Sequence, residues 1–280
     1  MFHESISSRK IFRNLKNPHI EPKKAHITGL VLILIIVAAG ISYIYLTRPS
    51  APEKKKPIVA VVSVNGTIEN FDPAHKIAKL SKNHLIEAVL IKIDSGGGYV
   101  SPSFQLESAI SNLSENKYTA AVIGEAGASG AYLAASGVDN IYVHRNSVVG
   151  SMSVIAVWTS LENKYESEGI EHYVFKSGEH KDMFAPWRGP TETEKEMIKA
   201  EIRDIQQRMI GVIVNNRPSL ENDIPTEVLG GDTVLGYRAV DMGLADEVVS
   251  TSEEALEKTA ASAGLEEGEY KVLELKSSSS

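Results

Sequence analysis

The chain has 280 residues, 42% of them hydrophobic and 23% charged, with a formal net charge of −7. That is length enough for a membrane segment plus a sizeable core, and the net acidity argues against a nucleic-acid-binding face. There is no cysteine, which excludes a disulfide framework and a thiol nucleophile. No GxxxxGK[ST] phosphate loop and no cluster with metal-ligand spacing occurs, so neither a metal nor another cofactor is expected.

In chain order, the first feature is ITGLVLILIIVAAGISYIYL, residues 27–46. These uncharged residues would span ~30 Å as a helix, the thickness of a bilayer core. Tyr43 and Tyr45 fall near one end, where interfacial aromatics belong. The run reads as a transmembrane helix rather than a core helix or a cleaved signal, since no small-residue cleavage pattern follows it. Upstream stand Arg9, Lys10, Arg13, Lys16, Lys23 and Lys24; downstream stand Arg48, Lys54, Lys55 and Lys56. This imbalance favours a cytoplasmic N-terminal tail (1–26) and an extracytoplasmic remainder. Residues 47–57, TRPSAPEKKKP, read as a stiff solvated linker.

Strand and helix signals then alternate. PIVAVVSVNG (57–66) reads as a buried strand, DPAHKIAKLSKN (72–83) as a helix, and LIEAVLIKID (85–94) as a strand. SPSFQLESAISNL (101–113) reads as a helix capped by Ser101, and YTAAVIG (118–124) as a strand. A helix over Trp158–Glu168 and a strand over HYVFKSG (172–178) are expected next. The segment 191–216 opens with a T-x-x-E capping box and reads as one long helix. AVDMGLADEVV (239–249) reads as helix, glycine stop and short strand; the polar residues 251–280 read as a frayed tail. Alternation of this kind predicts an α/β fold, with a mostly parallel sheet, right-handed crossovers and flanking helices.

In such sheets ligands gather at the carboxyl ends of the strands. Two loops leave strands there. IDSGGGYV (93–100) places three glycines between strand and helix, leaving amide N–H groups accessible. GEAGASGAYLAASG (124–137) is almost wholly Gly, Ala and Ser, and sets Ser129 at a helix start. A hydroxyl there beside glycine amides is what an oxyanion site requires. Alone, a triple glycine is more often a tight turn, and such a serine more often a cap.

The base is less evident. Of the histidines, His3, His19 and His26 precede or abut the apolar run, and none of His75, His84, His144, His172 and His180 lies in a recognisable triad context. Lys181 is followed by Met183, Phe184, Ala185 and Trp187. Burial among them would lower a lysine's pKa from ~10.4 to about 7–8, enough for a general base. The bland alternative is a solvated loop lysine, as Lys176 is taken to be.

From about residue 57 to 250 the chain resembles the signal peptide peptidase A/protease IV family of serine peptidases, whose fold is related to Clp protease and the crotonases. The resemblance rests on IDSGGGYV, GASGAYLAAS, VVGSMSVI (148–155), KSGEHKDM (176–183) and GYRAVDMGLADEV (236–248). It implies that residues 58–250 form a Ser-Lys peptidase domain with nucleophile Ser129 and general base Lys181. It also implies an oxyanion hole from Gly130 with Gly97 or Gly98, and Ser151 hydrogen-bonded to the lysine. Where the family has Asn and Pro, this chain has Asp94 and Gly96; the glycine is expected to loosen the loop. Peptide substrates, remnant signal peptides among them, follow from the resemblance, as does a homo-oligomeric ring whose protomers share sites. Other classes remain open at this point: a stomatin-associated type of membrane Ser-Lys protease, a non-catalytic membrane scaffold, and a crotonase-like acyl-chemistry enzyme.

Overall fold

The computed structural model describes residues 22–47, 55–221 and 223–275. The chain falls into two compact units, Met1–Lys54 and Lys55–Ser280. Within the first, α1 (Pro22–Thr47) extends beyond the apolar run at both ends. Its stretch Gly29–Thr47 is long and apolar enough to cross a membrane, and it is exposed throughout. The expected tail up to residue 21, linker residues 48–54 and the serines at 277–280 lie outside the described residues.

The second unit is mixed α/β around an eight-stranded sheet of order β6-β5-β3-β2-β1-β8, with β4 and β7 branching from β3. Its strands are β1 (Ile58–Asn65), β2 (Ile86–Ser95), β3 (Tyr118–Ala128), β4 (Asn140–Val143), β5 (Val148–Gly150), β6 (Thr233–Leu235), β7 (Glu247–Val248) and β8 (Lys271–Leu275). All pair in parallel except β5 with β6. The helices are α2 (Asp72–Leu80), α3 (Val100–Ser114), α4 (Gly130–Ala135), α5 (Glu162–Ser167), α6 (Glu192–Asn216), α7 (Thr226–Leu229), α8 (Gly236–Asp241) and α9 (Ser252–Ser262).

Both faces of the central strands are covered, which is why β1 to β3 read as nearly unbroken apolar runs. Ala60, Val62 and Val64 of β1, with Val89, Ile91 and Ile93 of β2, pack in one core cluster with residues of α2, α3, α4 and α6. Their alternates Val61 and Leu90 join Ala255 of α9 on the opposite face, where Val59 and Ala88 join Ala260. The capping box predicted for α6 is present, with Thr191 and Glu194 each bonding the other's backbone N–H. Gly243 takes φ 72° at the stop after α8.

Several expectations need correction. Residues 251–275 are no frayed tail: α9 is capped by Thr251 and buries Ala255, Thr259 and Ala260, and β8 pairs with β1. Its polar composition hides a narrow stripe of small residues that suffices against a flat sheet face. Tyr99, not Ser101, stands at the N-cap of α3. HYVFKSG forms no strand, because no other strand in the described part of the chain pairs with it; Tyr173 and Phe175 are 78% and 95% exposed. The helix expected from Trp158 begins only at Glu162, since the Trp158 indole N–H turns to the carbonyls of Ala185 and Arg188, both at 3.1 Å.

Candidate active site

The edge of β3 is divided: Ala120–Ile123 pairs with β4, and Ala126–Ala128 with β5. Ser129 follows directly, ahead of α4, with φ 54° and ψ −125°. A positive φ in a residue with a β-carbon is strained, and it persists only where the surroundings enforce it. Here Ser129 N–H donates to the Gly150 carbonyl at 2.8 Å, and the Ser129 carbonyl accepts from Leu133 N–H at 3.0 Å. The half-buried serine side chain makes no hydrogen bond within the described residues and lines a pocket of about 90 Å³.

The loop after β2 closes on the same spot. Gly97, at φ 103°, approaches so near that a β-carbon on it would lie 2.9 Å from both the Gly130 nitrogen and Ser129 Cβ. Only glycine satisfies both the dihedral and the contact. The Gly97 N–H is engaged by Ser95 Oγ at 3.1 Å. The N–H groups of Gly98 and Gly130, by contrast, donate to no other group of the described chain. Of the two glycines expected as alternatives, Gly98 is therefore the one with a donor to offer. The loop beyond Gly96 is tied to the chain after β1: Ile68 N–H donates to the Gly97 carbonyl and Tyr99 N–H to the Ile68 carbonyl, both at 2.9 Å. Asp94 has a structural task, its Oδ1 accepting from Ala126 N–H at 3.2 Å where the β2/β3 register shifts.

Ser151 comes alongside Ser129 by register, since Ala128 pairs with Gly150 and each serine follows its partner. It too has positive φ, 53°, with its N–H on the Asp232 carbonyl at 2.8 Å. Lys181 is not brought in. It is exposed, and its ammonium has no hydrogen bond or ion pair with Ser129, Ser151 or any other described residue. The expected burial among Met183, Phe184, Ala185 and Trp187 is thus not supplied within one chain. None of the described histidines hydrogen-bonds Ser129; His144 faces the Val249 carbonyl and His180 faces Glu194.

Lys181 instead rides on an arm, residues 151–190, held by a charge cluster. Arg188 grips both Asp182 and Glu194, the closest contacts 2.8 and 2.7 Å. Lys176 adds an ion pair to Asp182 at 2.7 Å. The Arg188 hydrogen bonds, joined at Asp182 by Lys176 and at Glu194 by the Thr191 N–H, hold both carboxyls far below the usual carboxylate range. Trp158 meets Phe184 at a tilt with centroids 5.0 Å apart, and His172 stacks on Trp187 at 5.5 Å. The arm still leaves Ile155 84% and Val157 70% exposed, besides Tyr173 and Phe175.

The closing motif packs behind the turn that carries Ser129. The phenol of Tyr132, three residues after Ser129, donates to the Leu244 carbonyl at 2.8 Å, and burial raises its pKa. Beside it Arg217 pairs with Asp246 at 2.8 Å. Sequence reasoning missed Ser103, whose buried hydroxyl also lines the pocket; a lone serine inside an amphipathic helix carries no signal.

The family model for peptidase family S49 matches residues 111–266. A protein named as a putative protease in Synechocystis sp. is 30% identical over 210 residues, covering 74% of this chain and 75% of the relative. A protein named as a putative signal peptide peptidase in Enterococcus faecium is 26% identical over 268 residues, 82% of this chain and 76% of its own length. One named as a putative protease in Methanocaldococcus jannaschii is 29% identical over 179 residues, 64% of this chain and 57% of its own.

Proposed function

Because the chain belongs to peptidase family S49, we propose that it is a membrane-anchored serine endopeptidase with a Ser-Lys dyad. The observation that carries the reading is the setting of Ser129: a strained serine at a strand end, beside two unengaged amides, at the mouth of a pocket. Ser129 Oγ attacks the scissile carbonyl, and an unprotonated Lys181 takes its proton and later gives it to the leaving amine. The N–H groups of Gly98 and Gly130 receive the oxyanion, and Ser151 orients the lysine.

Lys181 reaches the serine of a neighbouring protomer in a closed homo-oligomer. The support is its position on an arm with exposed Ile155, Tyr173 and Phe175, and with no partner among the described residues of its own chain. Such a site exists only after assembly, when the neighbour supplies the desolvation that the isolated chain does not. The substrates are extended peptides with small or apolar residues, remnant signal peptides among them. The apolar helix α1 anchors the enzyme where such remnants accumulate, with the N-terminus inside and the catalytic unit outside.

A fluorophosphonate probe tests the central step. Labelling mapped to Ser129, and absent from Ser129→Ala, is the expected result. Labelling elsewhere, or none in protein that hydrolyses peptides, removes Ser129 from the mechanism.

A further inference from the structure

The pocket beside Ser129 contains a polar group that the hydrolytic steps leave unused. Ser103, in the first turn of α3, is 2% exposed, and its hydroxyl has no partner among the described residues. Its backbone N–H is already taken by the Tyr99 carbonyl at 3.1 Å. A β-carbon built on Gly130 would stand 2.2 Å from Ser103 Oγ and 3.6 Å from the Gly98 nitrogen. The orphan hydroxyl therefore lies against the glycine that bears one of the two unengaged amides. The remaining walls include Val100, Leu133, Val154, Ile205 and Met209, with one further hydroxyl, that of the half-buried Ser153. At about 90 Å³ the pocket admits one side chain, whereas pockets for whole small ligands run to ~300–1,000 Å³.

A buried hydroxyl without a partner is unfavourable, and in most proteins such groups are satisfied. Packing does not require the oxygen here. Alanine would keep the same β-carbon against Gly130 and strand nothing. The oxygen has a use if the substrate completes its hydrogen bond. Resting on the hydrolytic reading above, we propose that Ser103 is a specificity-determining residue of the pocket that takes the P1 side chain, the one on the acyl side of the scissile bond. It favours a small hydroxyl-bearing P1 residue, serine or threonine, over the apolar residue of equal size. A purely apolar pocket discriminates weakly between such pairs, whereas one with a hydrogen-bonding group rejects the analogue that leaves it unpaired.

The test uses the full chain in detergent with fluorogenic peptides identical except at P1, in two matched pairs, serine against alanine and threonine against valine. The wild type should prefer the hydroxyl member of each pair by roughly fivefold to tenfold in kcat/KM, the span of one neutral hydrogen bond. In Ser103→Ala both ratios should fall to near one. No preference in the wild type overturns the proposal by itself, whether or not the variant folds. Ratios that survive in Ser103→Ala overturn it too, including the case where all peptides slow equally, which would assign the hydroxyl to the oxyanion or to packing. Ser129→Ala is run in parallel: hydrolysis persisting there fails the nucleophile reading and this proposal with it. Ser129-dependent hydrolysis without P1 discrimination fails the proposal alone.

Discussion

Ser129 donates its backbone N–H to the carbonyl of Gly150 at 2.8 Å, and both residues hold positive φ, 54° and 115°. Glycine bears that conformation freely and serine does not, so the fold holds strain at the residue proposed to react. Ser129→Gly should therefore stabilise the catalytic unit by about 1 kcal/mol, a rise of ~2–4 °C in Tm, while abolishing hydrolysis. Ser129→Ala should abolish hydrolysis without that gain. Thermal melts of the three proteins decide it; a Ser129→Gly protein that melts below Ser129→Ala contradicts the strain argument.

Gly98 tests the oxyanion assignment. A β-carbon there would stand 2.3 Å from the Ile68 carbonyl oxygen, so Gly98→Ala must push the loop away from Ser129. Loss of one oxyanion donor lowers kcat by about 10²–10³-fold. The variant should fall in that range while still binding a peptide aldehyde weakly. Near-normal kcat would remove Gly98 from the site.

Shared sites predict complementation. Ser129→Ala and Lys181→Met should each be inactive alone. In a random equal mixture half the interfaces offer an intact serine and half of those an intact lysine, so roughly a quarter of wild-type activity returns. Mixed oligomers that form in a tagged pull-down yet stay inactive would place the site within one protomer.

The arm can be watched directly, because the only two tryptophans, Trp158 and Trp187, both lie on it. Asp182 and Glu194 titrate well below the ~4 of an unfolded chain, chiefly through Arg188. Groups depressed in this way contribute stability above the unfolded value and lose it as pH falls through the folded one. In a His172→Phe background, which removes the imidazole stacked on Trp187, tryptophan emission should thus stay constant from pH 7 to about 4 and shift only below that. Arg188→Met should shift it at neutral pH, and Lys176→Met less so. Emission indifferent to Arg188→Met would show that the aromatic stacking holds the arm alone.

Much of this architecture was legible in advance for identifiable reasons. β1 to β3 are covered on both faces, so their apolar runs could not be mistaken for loops, and α6 announced itself through Thr191 and Glu194. Ser129 stood out because Gly, Ala and Ser crowd the turn that two strands and two helices share. The arm was misread because strand propensity at 172–178 says nothing of whether a neighbouring strand exists. The α9–β8 segment was missed because Ala255, Thr259 and Ala260 bury little area each, and Ser103 because an orphan hydroxyl is a property of surroundings, not of sequence.

Topology is checked on intact cells. With the N-terminus inside, externally added protease should digest the unit that begins at Lys55. Protection until the membrane is lysed would reverse the orientation.

Lys271 of β8 sits opposite Ile58 of β1, and the pairing runs on to Leu275 opposite Val62. The first strand of the catalytic unit to leave the ribosome is thus sealed by a strand made after all its other strands. Until then β1, with no polar side chain from Val59 to Val62, presents open backbone groups that another strand can join. Newly made chains that meet one another are most exposed to mispairing in that interval. A stop codon anywhere before residue 271 would prolong it indefinitely, and should show as aggregation rather than as a shorter working enzyme.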